Sequence, residues 1–198
     1  MDGRLGLLVL MLGIGETSIL KGQAYLYRNN RILRCKMKRM TLCYLQRDGK
    51  YLMLHRTKKK NDINEGKWIG VGGKLEPGET PYECVLREIK EETGYTPANC
   101  DYRGIVVFTY NDNPPEEMYL YTCTDFEGQE IVCDEGDLAW IDEDKLFDLN
   151  LWEGDKIFID LVRNGDRNFY LTLNYEDDRL IGHDLVFDEE LIRTKASI

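Results

Sequence analysis

Residues 72–95 read GGKLEPGETPYECVLREIKEETGY, and this stretch decides the fold of the 198-residue chain. Its opening part, GGKLEPGE, is rich in glycine and also contains a proline, a composition that predicts an irregular loop. Thr80 then suits a helix N-cap, Pro81 suits the first helical position, and Gly94 is a natural stop. The stretch therefore predicts a loop followed by a helix over residues 81–93.

Glu88, Glu91 and Glu92 share one face of this predicted helix, because residues three and four apart lie side by side. Like charges at this spacing destabilise a helix, and these lie toward its C-terminus, where the helix dipole disfavours anions. One interpretation is a solvated surface, since glutamate is a good helix former. The other is a binding site for a divalent cation, which reverses the repulsion; Mg²⁺ prefers carboxylate ligands of this kind.

From Gly73 onward the stretch resembles the Nudix box, the loop–helix–loop signature of the Nudix hydrolases. One position departs from that signature: Tyr95 stands where the family prefers an aliphatic residue, at a position that concerns packing. The resemblance implies an α+β fold, a Nudix-type mixed β-sheet sandwiched by helices. The matching positions are Gly73, Glu79, Arg87, Glu88, Ile89, Glu91, Glu92 and Gly94.

The same resemblance implies a catalytic metal centre. The three glutamates and the backbone carbonyl of Gly72 would hold Mg²⁺ or Mn²⁺, and a glutamate, with Glu88 as first choice, would take the proton of the attacking water. Glu79 would pair with Arg87 and orient the carboxylates; the simpler interpretation is a surface ion pair, worth at most about 1 kcal/mol. The catalytic residues implied are Arg87, Glu88, Glu91 and Glu92.

Three segments carry a second resemblance: GKWIGVGGKLEPGE (66–79), WEGD (Trp152–Asp155) and NFYLTLNY (168–175). They resemble the MutT-like 8-oxo-dGTP diphosphatases, and this resemblance extends from about Met40 to about Glu190 and is weaker outside the box. It implies hydrolysis of oxidised purine nucleoside triphosphates, with 8-oxo-dGTP converted to 8-oxo-dGMP and pyrophosphate, and a role in nucleotide-pool sanitation and DNA repair. Two alternatives stay open. One is a Nudix hydrolase of another nucleoside diphosphate derivative, such as ADP-ribose or a nucleotide sugar; the other is a non-catalytic nucleotide-binding module, which the complete set of box glutamates disfavours.

Position by position, this resemblance implies a base pocket. Trp152 and Phe108 would stack on a flat base and Asp155 would hydrogen-bond to its edge, although core packing is the simpler interpretation of a tryptophan. Ile69 stands where the mammalian enzymes place an asparagine, so the preferred base stays open.

Other positions match residues near the phosphates and the metal. Glu135 would be a further metal ligand, or only a loop acid. Arg56 would lie near the substrate, although the basic run of residues 56–60 is otherwise a solvated loop that could attract a triphosphate. Lys74 is also assigned to the substrate, and Thr41 matches a hydroxyl at the pocket floor. The substrate-binding residues implied are Thr41, Arg56, Lys74, Phe108, Trp152 and Asp155.

Alternating and apolar runs predict the rest of the domain as strands and one more helix. Met40–Leu45 and Lys50–Arg56 are joined by Asp-Gly, a strong hairpin signal. A second amphipathic helix is predicted over Lys156–Val162, and a terminal hairpin over Asn168–Phe187 with its turn at Glu176–Asp178. Further strands are predicted over Arg103–Tyr110 and Met118–Thr124, and a short strand or a bend over Leu138–Asp142.

Composition limits the function classes. The formal net charge of −10 disfavours sequence-independent nucleic-acid binding, which requires a basic surface. Six cysteines at irregular spacings predict reduced thiols in a cytoplasmic protein, and no zinc cluster or disulfide framework. The apolar run Leu5–Ile14 is shorter than the roughly 20 residues that span a bilayer, so no membrane partner is expected. Residues 1–39 are interpreted as an N-terminal extension and 40–198 as the hydrolase domain; the oligomeric state stays open.

Overall fold

The computed structural model describes residues 37–58, 63–111, 113–165 and 167–187. Residues 1–36 of the predicted extension lie outside the described residues, and the first strand begins at Lys38 instead of Met40. The elements are β1 (Lys38–Arg47), β2 (Lys50–His55), β3 (Trp68–Ile69), α1 (Pro81–Thr93), β4 (Tyr95–Tyr110), β5 (Glu116–Gly128), β6 (Asp137–Asp142), a 3₁₀ helix (Glu143–Asp148), α2 (Glu153–Asn164), β7 (Phe169–Glu176) and β8 (Arg179–Val186).

These strands form one mixed sheet in the order β3-β2-β1-β5-β4-β7-β8, and β6 pairs with β2 outside this path. β1 runs parallel to β5, from Lys38 opposite Glu116 to Leu45 opposite Cys123, and β4 runs parallel to β7. The pairs β1–β2, β2–β3, β2–β6, β4–β5 and β7–β8 are antiparallel. The predicted mixed sheet is therefore confirmed.

Both predicted hairpins are present. β1 and β2 pair as far as Arg47 opposite Lys50, and the turn residues Asp48 and Gly49 have φ angles of 54° and 70°. Two successive residues with positive φ are typical of a type I′ turn, whose twist matches that of the flanking strands. In the second hairpin Asp177 has a φ of 50° between β7 and β8. The Asp-Gly pair thus specifies the first turn.

Helix α1 has the bounds that the sequence predicts, and its ends show why. The Thr80 hydroxyl accepts from the Glu83 N–H at 3.2 Å, and the Glu83 carboxylate accepts from the Thr80 N–H at 2.9 Å, which completes a capping box. Gly94 ends the helix with a φ of 79°, and its N–H donates to the Lys90 carbonyl. Local signals therefore fix both ends of the helix that carries the glutamates.

Thr80→Ala is expected to lower the free energy of unfolding by about 1 kcal/mol, because it removes the oxygen that accepts the Glu83 N–H. Thermal unfolding of the wild type, T80A and the control T80S measures this effect. Serine keeps a hydroxyl acceptor, so T80S should unfold close to the wild type. Equal losses in both variants would argue against the cap.

The sheet carries a hydrophobic cluster on each face, because successive side chains of β1 point to opposite sides. Leu42 and Tyr44 belong to the cluster that contains Phe158 of α2, and this side is called the α2 face. Cys43 and Leu45 belong to the cluster that contains apolar residues of α1, and this side is called the α1 face. The sheet therefore lies between the two helices, as an α+β fold. Among the described residues, no helix is long and apolar enough to span a membrane.

Candidate active site

The loop between β3 and α1 lies along strand β1. The Thr41 N–H donates to the Gly73 carbonyl at 2.8 Å, and the Cys43 N–H donates to the Val71 carbonyl at 2.7 Å. Gly72 has no room for a side chain, since a Cβ there would lie 2.1 Å from the Thr41 carbonyl oxygen. Glycine therefore lets the loop pack backbone to backbone against the strand, which fixes the loop's position.

The same loop contacts two of the three glutamates of α1. A Cβ at Gly73 would lie 2.3 Å from Glu88 Oε1, so the carboxylate rests directly against the glycine backbone. The Gly72 N–H donates to Glu92 Oε2 at 3.0 Å. Loop and helix thus form a single site.

Arg87 is the centre of an ion-pair network that joins the loop to the helix. Its Nε and Nη2 donate to the two carboxylate oxygens of Glu79 at 2.8 and 3.0 Å. Its Nη1 donates to Glu88 at 2.8 Å and to Glu91 at 3.0 Å, and Nη2 also donates to the Lys74 carbonyl at 3.2 Å. The two-point contact with Glu79 is the geometry in which a guanidinium binds a carboxylate most specifically. The predicted Glu79–Arg87 pair is present.

The carboxylates differ in their environments. Hydrogen bonds from Arg87 lower the pKa of Glu79 to about 2. Burial raises the pKa of Glu88, against the opposing effect of Arg87. Burial also raises the pKa of Glu92 to about 7, and the charge of Glu88 adds to this effect. The Glu91 side chain is 60% exposed. Glu79 is therefore a permanent anion at neutral pH, whereas a negative charge on Glu92 is unfavourable unless a cation offsets it.

The donor set of these glutamates suits a hard divalent cation. Mg²⁺ takes carboxylate oxygens and completes its shell with water and phosphate oxygens. Within the four described ranges, no group of three or more His, Cys, Asp and Glu side chains is arranged as metal ligands are. The contacts explain this, because Arg87 holds Glu88 and Glu91 while Glu92 accepts from the loop. Each of these contacts uses a single oxygen of its carboxylate: Glu88 Oε1, Glu91 Oε2 and Glu92 Oε2.

Two residues for which the resemblance implies different roles form an ion pair with each other. Arg56, implied for the substrate, forms an ion pair with Glu135, implied for the metal. Arg56 is only 6% exposed, so it is not a solvated loop residue. Its charge opposes the rise in the pKa of Glu92 that burial causes. The Lys58 ammonium donates to the Cys133 carbonyl at 2.7 Å and holds the Glu135 loop in place.

The predicted pocket residues Phe108 and Trp152 both pack against the cluster of the α2 face. Trp152 is the N-cap residue of α2, and its Nε1–H donates to Asn64 Oδ1 at 2.8 Å. The Lys67 ammonium lies 4.7 Å from the centre of the Trp152 ring, a favourable cation–π contact. These contacts fix the orientation of an indole that is only partly buried.

Asp155 lies in the first turn of α2 and is 4% exposed. Gly154 lets this turn approach β7: its N–H donates to the Tyr175 hydroxyl at 2.8 Å, and a Cβ there would lie 2.7 Å from the same oxygen. Burial raises the pKa of Asp155 to about 8, against the opposing charge of Lys67. A carboxyl that is protonated at neutral pH both donates and accepts hydrogen bonds, which suits the edge of a base.

Asp155→Asn is expected to flatten the dependence of stability on pH. The pKa of about 8 in the folded protein exceeds the ordinary value of 3.8. The unfolded chain therefore ionises first, and the free energy of unfolding of the wild type should fall as the pH rises from about 4 to about 8. Urea unfolding of both proteins across that range measures the effect. Parallel profiles would show that Asp155 ionises normally in the folded protein.

Two other predicted substrate residues lie elsewhere. Thr41 is buried on the α1 face, where its hydroxyl lies 3.4 Å from the Cys84 sulfur, because strand alternation gives the α2 face to Leu42. Thr41 therefore does not form the floor of a pocket that contains Trp152. Lys74 is exposed in the glycine loop, beside the glutamates. The structure brings together Phe108, Trp152 and Asp155 on one side of the sheet.

Sequence reasoning missed Asn64, Lys67 and Tyr44. The first two belong to the polar stretch between β2 and β3, and they contact Trp152, which lies far away in sequence. No local pattern reveals such a link. For Tyr44 the sequence does contain a signal, because a residue with a polar hydroxyl stands in the apolar run of a central strand.

Comparisons with known proteins show the family of the chain. The NUDIX domain model matches residues 37–162. An uncharacterized Nudix hydrolase of Bacillus subtilis, YvcI, is 30% identical over 144 residues, covering 70% of this chain and 87% of that protein. An oxidized purine nucleoside triphosphate hydrolase of Danio rerio is 28% identical over 155 residues, covering 78% of this chain and 94% of the relative.

Among solved structures, a MutT protein from Bacillus halodurans matches with a TM-score of 0.68 and 30% sequence identity, covering 75% of this chain and 97% of that one. The family match spans strands β1 to β6, the glycine loop, helix α1 and most of α2. It therefore includes the arginine-centred carboxylate cluster and, on the α2 face, Phe108 and Trp152. The chain belongs to the NUDIX domain family and is a Nudix hydrolase, an enzyme that acts on nucleotide derivatives.

Proposed function

We propose that this chain is a divalent-metal-dependent pyrophosphohydrolase of purine nucleoside triphosphates, which converts 8-oxo-dGTP to 8-oxo-dGMP and pyrophosphate. The observation that carries the proposal is the carboxylate cluster of α1, which Arg87 and the glycine loop hold in place. The name of the Danio rerio relative, an oxidized purine nucleoside triphosphate hydrolase, supports the substrate class.

Mg²⁺, or Mn²⁺ in its place, would be held by Glu88, Glu91, Glu92 and the Gly72 carbonyl, with Glu135 as a further ligand. When bound, the metal supplies charge neutralisation at the phosphates and lowers the pKa of the attacking water. The fit rests on the donor chemistry, since all these groups offer hard oxygen ligands.

Arg87 positions these carboxylates. Its two-point bond to Glu79 fixes the guanidinium, which in turn contacts Glu88 and Glu91. Glu88 is the proposed general base: its side chain is 14% exposed, and burial raises its pKa, which makes it a better proton acceptor than an ordinary carboxylate.

Two cations are proposed to contact the phosphates. Lys74 is exposed in the loop whose carbonyl binds Arg87, so its ammonium is free to reach a polyphosphate at the carboxylate cluster. Arg56 is buried and pairs with Glu135, and its charge lowers the pKa of Glu92 against the effect of burial. Cations held at such a site stabilise the negative charge that develops on transferred phosphates.

The base is proposed to stack on Trp152 and Phe108, with Asp155 at its edge. The indole is already oriented by its hydrogen bond to Asn64. Ile69 offers no hydrogen bond to a base, so recognition of the edge depends on other polar groups of the α2 face.

A nucleotide panel with Mg²⁺ tests the proposal, using 8-oxo-dGTP, dGTP, dATP, ADP-ribose and a nucleotide sugar. The highest kcat/KM is expected for 8-oxo-dGTP, with pyrophosphate released. Turnover confined to ADP-ribose or the nucleotide sugar would keep the hydrolase and overturn the substrate. Metal binding without turnover of any compound would identify a non-catalytic nucleotide-binding module.

A further inference from the structure

Tyr44, in the middle of β1, carries a buried hydroxyl without a hydrogen-bond partner among the described residues. The residue is 0% exposed, and its ring centre lies 6.0 Å from that of Tyr51 and 6.5 Å from that of Phe158. Most buried polar groups in proteins are paired, because an unpaired one is destabilising. Packing alone does not explain this tyrosine, since phenylalanine would fill the same ring volume.

Tyr44 packs against the part of α2 that carries Asp155: its ring contacts Phe158, which is three residues after Asp155, and both are buried residues of that helix. Burial raises the pKa of Tyr44, and the charge of Asp155 raises it further. The Tyr175 hydroxyl also lies beside this turn of α2, but it already accepts the Gly154 N–H. Tyr44 therefore contributes the unsatisfied polar group beside Asp155.

We infer that the Tyr44 hydroxyl is a specificity-determining group that, together with Asp155, hydrogen-bonds to the edge of the substrate base. This inference rests on the proposed function, because it concerns the pocket of the same reaction. The ligand class it selects is a purine with a carbonyl oxygen on the edge that enters the pocket, since a phenol donates to such an oxygen. Tyr44 thus supplies a polar contact that Ile69 does not.

The energetics favour discrimination at this position. The hydroxyl is already removed from water in the free protein, so a substrate carbonyl gives it a partner without further desolvation of the tyrosine. A base without a carbonyl there leaves the hydroxyl unpaired. Sites built to hydrogen-bond a substrate group reject analogues that lack the group far better than apolar pockets do.

Tyr44→Phe removes the hydroxyl and keeps the ring. For 8-oxo-dGTP we expect kcat/KM to fall about tenfold, the typical effect of one lost buried hydrogen bond. For the triphosphate of unsubstituted purine, which has no carbonyl, we expect less than about a twofold change. Tyr51→Phe is the matched control: it removes the hydroxyl of a neighbouring tyrosine in the same cluster and should leave the ratio between the two nucleotides unchanged.

Thermal unfolding completes the test. Y44F should unfold at or above the temperature of the wild type, because the lost hydroxyl has no partner in the free protein. An unchanged ratio of kcat/KM between the two nucleotides, including an equal loss on both, would overturn the inference and leave the proposed function standing. This holds whether or not the unfolding temperature of Y44F falls. Failure of the wild type to hydrolyse either nucleotide would overturn the proposed function, and the inference with it.

Discussion

Glu92→Gln is expected to reduce Mg²⁺-dependent turnover by about 10²–10³-fold in a protein that stays folded, because a metal ligand contributes several kcal/mol to the transition state. Glutamine removes the charge but keeps an oxygen that can accept the Gly72 N–H, now bound to the carboxylate at 3.0 Å. The contact between loop and helix is therefore kept, and the loss of turnover reflects impaired metal binding. Steady-state kinetics over a range of Mg²⁺ concentrations measures it.

The stability of the metal-free E92Q protein separates metal binding from a folding defect. Burial raises the pKa of Glu92 from the ordinary 4.5 to about 7. The wild type should therefore lose up to about 3 kcal/mol of unfolding free energy as the pH rises through this interval. Glutamine does not ionise, so E92Q should be the more stable protein at about pH 7 and above.

Glu91→Gln is the matched control for that result. Glu91 is exposed, so its substitution should reduce turnover without a comparable gain in stability. Unchanged turnover in either variant would show that the residue is not a metal ligand.

Arg87→Ala is expected to lower kcat/KM by about 10–100-fold, the usual effect of losing a group that orients metal ligands. The guanidinium is the common partner of Glu79, Glu88 and Glu91. Without it, the carboxylates repel each other and the loop loses its ion pair to α1. The Mg²⁺ concentration for half-maximal activity should rise together with this loss.

Arg87→Lys keeps the charge and tests the geometry. An ammonium cannot reproduce the fork that binds both oxygens of Glu79, so lysine should restore only part of the activity. Full activity in R87K would contradict a positioning role that depends on the guanidinium, and would reduce Arg87 to a simple positive charge.

Local chemistry made much of the fold predictable. The capping box at Thr80, the proline after it and Gly94 define α1 without reference to any other element. The Asp-Gly pair likewise specifies the β1–β2 turn from two residues. Such signals depend only on backbone conformation and on hydrogen bonds between near neighbours, which a sequence displays directly.

Long-range contacts were not predictable in this way. The parallel pairing of β1 with β5 joins segments far apart in the chain, and an apolar run does not identify its neighbour. Arg56 resembled a solvated loop residue, yet it is buried against Glu135. The side chain of Thr41 lies on the α1 face because successive residues of a strand point to opposite faces. A resemblance to a family at one sequence position does not reveal this orientation.

In the candidate site, too, local features were predictable and long-range contacts were not. The carboxylate cluster was predictable because helix periodicity places Glu88, Glu91 and Glu92 together. The base pocket was only partly predictable: the contacts of Asn64 and Lys67 with Trp152 depend on tertiary packing.

Titration of Mn²⁺ into the metal-free protein, followed by electron paramagnetic resonance, tests the central claim most directly. The wild type is expected to bind the ion, and the double variant Glu88→Gln/Glu92→Gln to bind it at least about tenfold more weakly. Equal affinities in the two proteins would show that the buried glutamates of α1 do not hold the metal, and would contradict the account.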